Sequence, residues 1–421
     1  MLDPKLLRGD LPAVAANLAR RGFALDVAAA AALEERRKAS QIEADRLRAE
    51  RNANAKAAGQ AKAQGREAAP LLALGESLAG QLKVAESELE AMQAELSSWQ
   101  LGLPNLLHAS VPEGRDETSN VEVRRWGEPR KLAFEPKDHV EVGVRLGLDF
   151  DAAARISGAR FVVMIGQLAK LHRALIQFML DLHVREHGYR EAYVPYMVHA
   201  AALVGTGQLP KFEQDLFAVR GDPGYFLIPT AEVPVTNLVR DQILEAAALP
   251  TKFVAHTPCF RSEAGAAGKD TRGIFRVHQF DKVEMFSFVE PSASTEEHER
   301  ILAIEEEILS DLDLPYRVVN IAVNDLGSSA AKKYDCEAWL PSQGRYRELT
   351  SCSNTTDYQA RRLNIRLRHD KRVQALHTLN GTAVAVGRTI IALLENGQRE
   401  DGTVALPDIL AAYGAPAVLG A

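Results

Sequence analysis

At 421 residues, 46% hydrophobic and 25% charged, the chain has the makeup of an ordinary soluble globular protein, with room for one large domain or two. A formal net charge of −6 argues against nucleic-acid binding over the whole surface, though a local basic patch stays open because phosphate contacts answer to local field. No run approaches the roughly eighteen apolar residues of a membrane span, and MLDPKLLRGDLPAV lacks the basic-then-apolar layout of a signal peptide. No membrane partner and a cytoplasmic location are therefore expected. Cys259, Cys336 and Cys352 have neither zinc-ligand spacing nor an even count, and read as core thiols in a reducing compartment.

The first element is a helical hairpin. From Val27 to about Ala58 the chain is dominated by Ala, Glu and Arg without Pro or Gly, and from Pro70 to Trp99 it is helical again. In the second run Leu78, Leu82, Ala85, Leu89, Met92, Leu96 and Trp99 step by alternating fours and threes, an a/d seam. GQAKAQGREAAP joins the two runs as a turn. The spacing predicts an antiparallel coiled coil over 27–99, with a weaker seam on the first helix (Leu33, Ala44, Leu47). At about 1.5 Å per residue its arm is about 45 Å long. Basic residues gather on the first helix, among them Arg46, Arg48, Arg51 and Lys56, and acidic ones on the second. Two readings stay open: a solvated surface with intrahelical ion pairs to Glu34, Glu35, Glu43 and Glu50, or a footprint for a phosphate backbone.

A proline-rich stretch, Gly102 to Pro136, follows. Beyond it helix-like runs (Phe161–Glu186, Ala231–Ala247, Thr295–Leu309, Ala383–Glu395) alternate with strand-like runs that come in neighbouring pairs. That order predicts an α+β fold, an antiparallel sheet with helices packed on it. His183 and His187, four apart, lack the Glu of a zinc-protease motif and read as helix-surface histidines. The acidic run Glu296–Glu307 reads as a solvated helix face.

Residues 260–288, FRSEAGAAGKDTRGIFRVHQFDKVEMFSF, carry the strongest chemical signal. The loop around Gly265, Gly268 and Lys269 is not a P-loop, since Glu263 and Asp270 stand where that motif needs Gly and Ser or Thr. Arg261 and Glu263 lie two apart on the first strand-like run. On the second, Arg276, Phe280 and Glu284 share a parity that Phe286 and Phe288 continue. Strand side chains alternate with period two, so one sheet face would hold guanidinium, carboxylate and aromatic together, a floor for a charged, planar ligand. Three further clusters, Thr230-Ala231-Glu232, Glu348-Leu349-Thr350-Ser351 and Thr382 through Arg388, complete what nucleotidyl transfer to a carboxylate needs.

These segments resemble the class II aminoacyl-tRNA synthetases, in the form seen in the seryl-tRNA synthetases. FRSEAGAAGKDTRGIFRVHQFDKVEM is similar to motif 2 (about 253–288), LNGTAVAVGRTIIALLEN to motif 3 (about 379–397), and the stretch from about 147 to Pro195 to motif 1. GTGQLPKF, TAEVPVTNL and ELTSCSNTTDYQARR resemble further signatures of that family. The resemblance implies a tRNA-binding domain over 1–105 and a catalytic domain over 106–421, the latter a class II antiparallel sheet flanked by helices.

It further implies ATP-dependent activation of L-serine and transfer of the seryl group to the tRNA for serine, with the tRNA for selenocysteine as a second candidate acceptor. Catalytic Arg261 would hold the α-phosphate and the serine carboxylate, and catalytic Arg388 would grip the γ-phosphate end with Arg276 beside it. Ser262, Glu263, Val277, Phe280, Glu348, Leu349, Thr350 and Ser351 would complete the ATP site, Glu263 receiving the adenine amino group and Phe280 stacking on the ring. Glu348 and Ser351 would hold Mg²⁺. Thr230, Ala231, Glu232, Arg261, Glu284 and Thr382 would line the serine pocket, and of these Glu284 and Thr382 would take the hydroxyl. Arg46, Arg48, Arg51 and Lys56 would contact tRNA, and the loop 264–273 its acceptor end. Motif 1 implies a homodimer in which one subunit's arm serves the other's site. Thr350 and Gly397 depart from the family pattern, which more often has Ser and an aromatic there. The alternatives are a same-fold ligase that loads a carrier protein, against which the arm and the missing zinc-type set count, and a non-catalytic homologue.

Overall fold

The computed structural model describes residues 1–420 except 115, 222, 267 and 269, so Lys269 of the loop discussed above lies outside the described residues. The chain divides into two compact units, Leu2–Pro104 and Asn105 onward together with Met1. The first is built on helices α1 (Val27–Ala63) and α2 (Ala69–Leu101). Asp26 caps α1 by accepting the Ala29 N–H at 2.9 Å. Helix α1 runs past the expected end near Ala58. Gly59 is tolerated, since one helical Gly costs only about 1 kcal/mol, and Gly65 at φ +66° makes the turn instead. Ala44 and Leu47 pack against Leu78, Leu82, Ala85 and Leu89 as a buried seam. Met92, Leu96 and Trp99 extend it only half-buried.

The second unit is the expected α+β fold. Strands β1 (Val121–Trp126), β2 (Arg190–Glu191), β3 (Thr251–Phe260), β4 (Gln279–Val289), β5 (Tyr316–Asn320), β6 (Lys332–Leu340), β7 (Arg345–Asn354) and β8 (His377–Ala385) form one sheet. Its order is β1-β5-β6-β7-β8-β4-β3-β2, antiparallel throughout except between β2 and β3. Helices α3 (Gln167–Arg185), α5 (Ser294–Asp311) and α7 (Val386–Gly397) cover one face, and Val283, Met285 and Val289 of β4 join their core. A short helix α4 (Glu232–Asn237) and α6 (Tyr358–Arg362) flank the other face. Among the described residues no helix is long and apolar enough to cross a membrane.

Two helix-like runs are shorter than their composition suggests. The run 231–247 stops at Asn237, because Asp241 turns at φ +59° and Ile243–Glu245 pairs in parallel with Arg366–Arg368. The run 161–186 starts as a strand, Val163–Met164 pairing with Leu148–Asp149 before Gly166 breaks at φ +64°. In both, tertiary pairing overrides local propensity.

Two solvent-face expectations are corrected by burial. Glu305 of the acidic run is fully buried and accepts the Thr350 hydroxyl at 2.8 Å, and burial raises its carboxyl well above the ordinary range. His183 is fully buried too, with no hydrogen-bond partner at either ring nitrogen. Burial first, then the charges of His187 and Arg300, lower its pKa from 6.5 to about 3. Between those values the unfolded chain binds a proton that the folded chain refuses, so this group removes stability as pH falls from about 6.5 toward 3. His183→Leu should therefore melt higher than the parent at acidic pH. The gain should grow by up to about 1.4 kcal/mol per pH unit below 6.5. Melting curves of both proteins at several pH values test this; a constant difference would refute it.

Candidate active site

The uncovered face of β4 is the floor of a cleft. Two overlapping cavities of about 600 and about 280 Å³ share Arg261, Glu263, Arg276, Lys282, Lys333, Glu348 and Thr382. The larger adds Gln208, Thr230, Glu232, Glu284, Ser351 and Asn380; the smaller adds Phe275, Val277, Phe280, Leu349 and Arg388. The period-two reading holds on β4 for Phe280 and Glu284. Arg261, Glu263 and Arg276 stand just outside β3 and β4, carried on the loop ends rather than on the strands as expected. Phe286 and Phe288 do continue the face, but both are 1% exposed; Phe286 packs on Val194, Ala231, Val235 and Ala255, so the floor ends at Glu284.

In the larger cavity Glu284 is the focus. Its carboxylate accepts the Thr230 hydroxyl at 2.7 Å, the Ala231 N–H at 2.7 Å and the Lys282 ammonium. Lys282 also donates to the Thr230 hydroxyl at 3.2 Å. Thr382 on β8 stands directly across from Glu284. Glu232 is held differently, by the amides of Asn380 at 2.6 Å, Gln359 at 2.7 Å and Gln208 at 3.5 Å, and by no cation within 4 Å among the described residues. Burial raises its carboxyl, Gln359 opposes that, and the Glu284 charge adds to it. Arg261 donates to the Pro229 carbonyl at 3.1 Å and lies 5.2 Å from the Phe280 ring centre, with no carboxylate within 4 Å among the described residues.

Charges pair more closely toward the smaller cavity. Glu263, at φ +52°, binds Arg276 at 3.2 Å, and Asp270 binds Arg276 at 3.5 Å and Arg347 at 2.7 Å. Arg388, in the first turn of α7, lies 3.2 Å from the Glu348 carboxylate and 4.6 Å from the centre of the Phe275 ring, which Arg347 also approaches at 3.8 Å. Burial opposes ionisation of Glu348; the Arg388 and Lys333 cations outweigh it and hold its carboxyl well below the ordinary value. Ser351 lies across from Asp335, whose Oδ1 is buried without a hydrogen-bond partner.

Three expected ATP or serine contacts do not reach the cleft with their side chains. Thr350 turns to Glu305 on the helix-covered face, because strand alternation puts it opposite Ser351. Ser262 donates to the Gln214 carbonyl at 2.5 Å, and Ala231 contributes only its N–H. Conversely, Lys282, Lys333, Gln359, Asn380 and Phe275 belong to the site and were not anticipated. Lys282 was legible, since it shares the parity of Phe280 and Glu284. The departure at Gly397 is steric: a Cβ there would lie 2.2 Å from the Ala405 carbonyl oxygen, so no aromatic fits.

On the arm, Arg46 is bound by Glu43 and Glu50 at 2.6 Å each, and Arg48 by Asp45 at 2.6 Å and Glu86 at 2.9 Å. Among the described residues Arg51 reaches only the Asn52 amide oxygen, at 3.3 Å, and Lys56 has no carboxylate within 4 Å.

Comparison with known proteins accounts for both units. Residues 1–107 match the model of the seryl-tRNA synthetase N-terminal domain, and residues 213–397 that of the class II tRNA synthetase core domain (G, H, P, S and T). A serine–tRNA ligase of Nitrosococcus oceani is 57% identical over 98% of this chain and 97% of its own length. The chain belongs to the seryl-tRNA synthetase family. A serine–tRNA ligase of Methylococcus capsulatus is 56% identical over 98% of this chain and 97% of its own. The crystal structure of seryl-tRNA synthetase from Pyrococcus horikoshii complexed with ATP superimposes with a TM-score of 0.92 at 41% identity, covering 100% of this chain and 99% of that one. For the cytoplasmic serine–tRNA ligase of Naegleria fowleri in complex with AMP the values are 0.88, 29%, 100% and 98%. The cleft residues on β4, β7, β8 and α7, with Arg261, Glu263 and Arg276 on the loop ends, fall inside the part matched by the synthetase core domain.

Proposed function

We propose that the chain is a serine–tRNA ligase that forms seryl-adenylate from serine and ATP and transfers the seryl group to tRNA. The observation that carries the chemistry is a pair of opposite charges in one cleft that no ion pair among the described residues satisfies, the Arg261 guanidinium and the Glu232 carboxylate. They match the carboxylate and ammonium of a zwitterionic amino acid. The hydroxyl of serine then falls to Glu284, Thr230 and Thr382. A pocket whose buried groups hydrogen-bond a hydroxyl rejects analogues that lack it strongly, because those groups are left unpaired.

ATP occupies the smaller cavity in this reading. Phe280 and Val277 hold the adenine, with Glu263 accepting from its amino group, and Arg388 and Arg276 hold the phosphates. Arg276 meets Glu263 and Asp270 in the structure, so phosphate binding exchanges carboxylate partners for phosphate oxygens. Arg261 shares its fork between the serine carboxylate and the α-phosphate. That brings the attacking oxygen in line and neutralises charge that grows as the phosphoryl bond transfers. Pyrophosphate leaves, and no protein nucleophile is needed.

The oxygen donors Glu348 and Ser351, with the unpartnered Oδ1 of Asp335 beside them, fit Mg²⁺, which takes hard oxygen ligands and keeps waters and phosphates as the rest of its shell. When bound, Mg²⁺ would neutralise phosphate charge. A homodimer is proposed as well; Ile156, Ile165 and Tyr193, at 75%, 56% and 88% exposure, give the motif 1 segment an apolar surface for it.

Exchange of labelled pyrophosphate into ATP should depend on serine, and charging should follow with the tRNA for serine; no exchange with serine would sink the reading. A selenocysteine tRNA in the same charging assay decides whether it is a second acceptor. For the arm, neutralising Arg51 and Lys56 should weaken tRNA binding and flatten its dependence on salt, by about one phosphate contact per residue. Neutralising Arg46 should do less, since Glu43 and Glu50 already hold it. An unchanged slope of log affinity against log salt for Arg51 and Lys56 would remove them from the tRNA surface.

A further inference from the structure

Three charged groups meet at the serine end of the cleft. Glu284 and Glu232 are carboxylates, and Lys282, whose side chain is 8% exposed, is the one cation bound to either of them among the described residues. Its ammonium contacts Glu284 and the Thr230 hydroxyl, and its charge is also felt by Glu232. The three sum to a single net negative charge, enough to match one substrate ammonium. A lone carboxylate at Glu284 would accept from a hydroxyl or an ammonium alike. A carboxylate already neutralised by Lys282 still accepts from a hydroxyl, but a second ammonium there would face an uncompensated like charge.

We infer that Lys282 is a specificity-determining residue that confines the side-chain end of the pocket to a neutral hydrogen-bond donor, and so rejects an amino acid whose side-chain hydroxyl is replaced by an ammonium. This inference rests on the serine reading of the cleft. The repulsion of a like charge is the part of the discrimination that hydrogen bonding to the hydroxyl does not supply, since an ammonium of the same size can donate as well as a hydroxyl.

The test compares L-serine with L-2,3-diaminopropionate, the isostere with an amine at the hydroxyl position, in amino-acid-dependent pyrophosphate exchange at mildly acidic pH where both amines are protonated. The full-length parent should prefer serine strongly. In Lys282→Met the ratio of the two kcat/KM values should fall by about tenfold or more, as expected for removing a like charge from a buried site. Most of the change should sit in the amino-acid KM, with the KM for ATP little moved. Lys282→Arg should keep the parent's ratio. Lys282→Gln, which retains a polar end, gives the same reading should the Met variant not fold. Equal losses for both amino acids, or an unchanged ratio, would mean that Lys282 only supports the fold around Glu284 and would overturn the inference. The parent's own serine-dependent exchange, measured in the same series, shows separately whether the serine reading stands.

Discussion

Replacing Arg261 by alanine is expected to abolish adenylate formation, lowering serine-dependent pyrophosphate exchange by about a thousandfold or more. Removing one preorganised donor from a developing oxyanion costs about 10²–10³ in rate. Arg261 has more at stake, because among the described residues no carboxylate pairs with it, which leaves it for both the amino acid carboxylate and the α-phosphate. Among the described residues its side-chain contacts are few: one hydrogen bond to the Pro229 carbonyl and the approach to Phe280. A single such bond contributes about 1 kcal/mol net, so the variant should melt close to the parent. Arg261→Lys should recover only part of the rate, since a point charge cannot bridge two acceptors as a planar fork does. Exchange at a parental level in the alanine variant would show that the α-phosphate is held elsewhere, and a collapsed melting temperature would assign Arg261 to the fold instead.

How far the cleft was legible in the sequence follows from which interactions are local. On β4 the period of two reports side-chain direction with no tertiary information, so Phe280 and Glu284 could be placed on one face, and Lys282 by the same rule. Where the strands stop is set by pairing. Arg261, Glu263 and Arg276 therefore fell on the right side of the sheet while being misassigned to its strands. The coiled-coil seam is similarly local, and Leu78, Leu82, Ala85 and Leu89 are buried as their spacing predicts. The amide cage of Glu232 could not be read this way. Gln208, Gln359 and Asn380 come from three separate segments of the chain, and an isolated amide in a sequence carries no sign of what it will bind. His183 and Glu305 misled for the opposite reason: polar residues on amphipathic helices default to solvent, and only the packing of α3 and α5 onto the sheet buries them.

Glu284→Ala should lose serine activation and stability together, and the two losses can be separated. The carboxylate collects three donors, and removing it leaves the Lys282 ammonium buried without a counter-ion and the Thr230 hydroxyl and Ala231 N–H without their acceptor. Breaking a buried ion pair from one side costs about 3–5 kcal/mol, mostly from the stranded charge. Removing both charges is another matter, since an apolar pair of similar volume can match a buried salt bridge in stability. Glu284→Met combined with Lys282→Met should therefore melt well above Glu284→Ala, while serine-dependent exchange stays far below the parent's because the carboxylate that accepts the hydroxyl is gone. If the double variant melts no higher than the single one, the stranded ammonium is not the source of the loss, and the orphaned Thr230 and Ala231 donors are. If either variant activates serine at the parental rate, the hydroxyl does not bind at Glu284. In that case the carboxylate's role reduces to holding Lys282 and the turn at Thr230 in place.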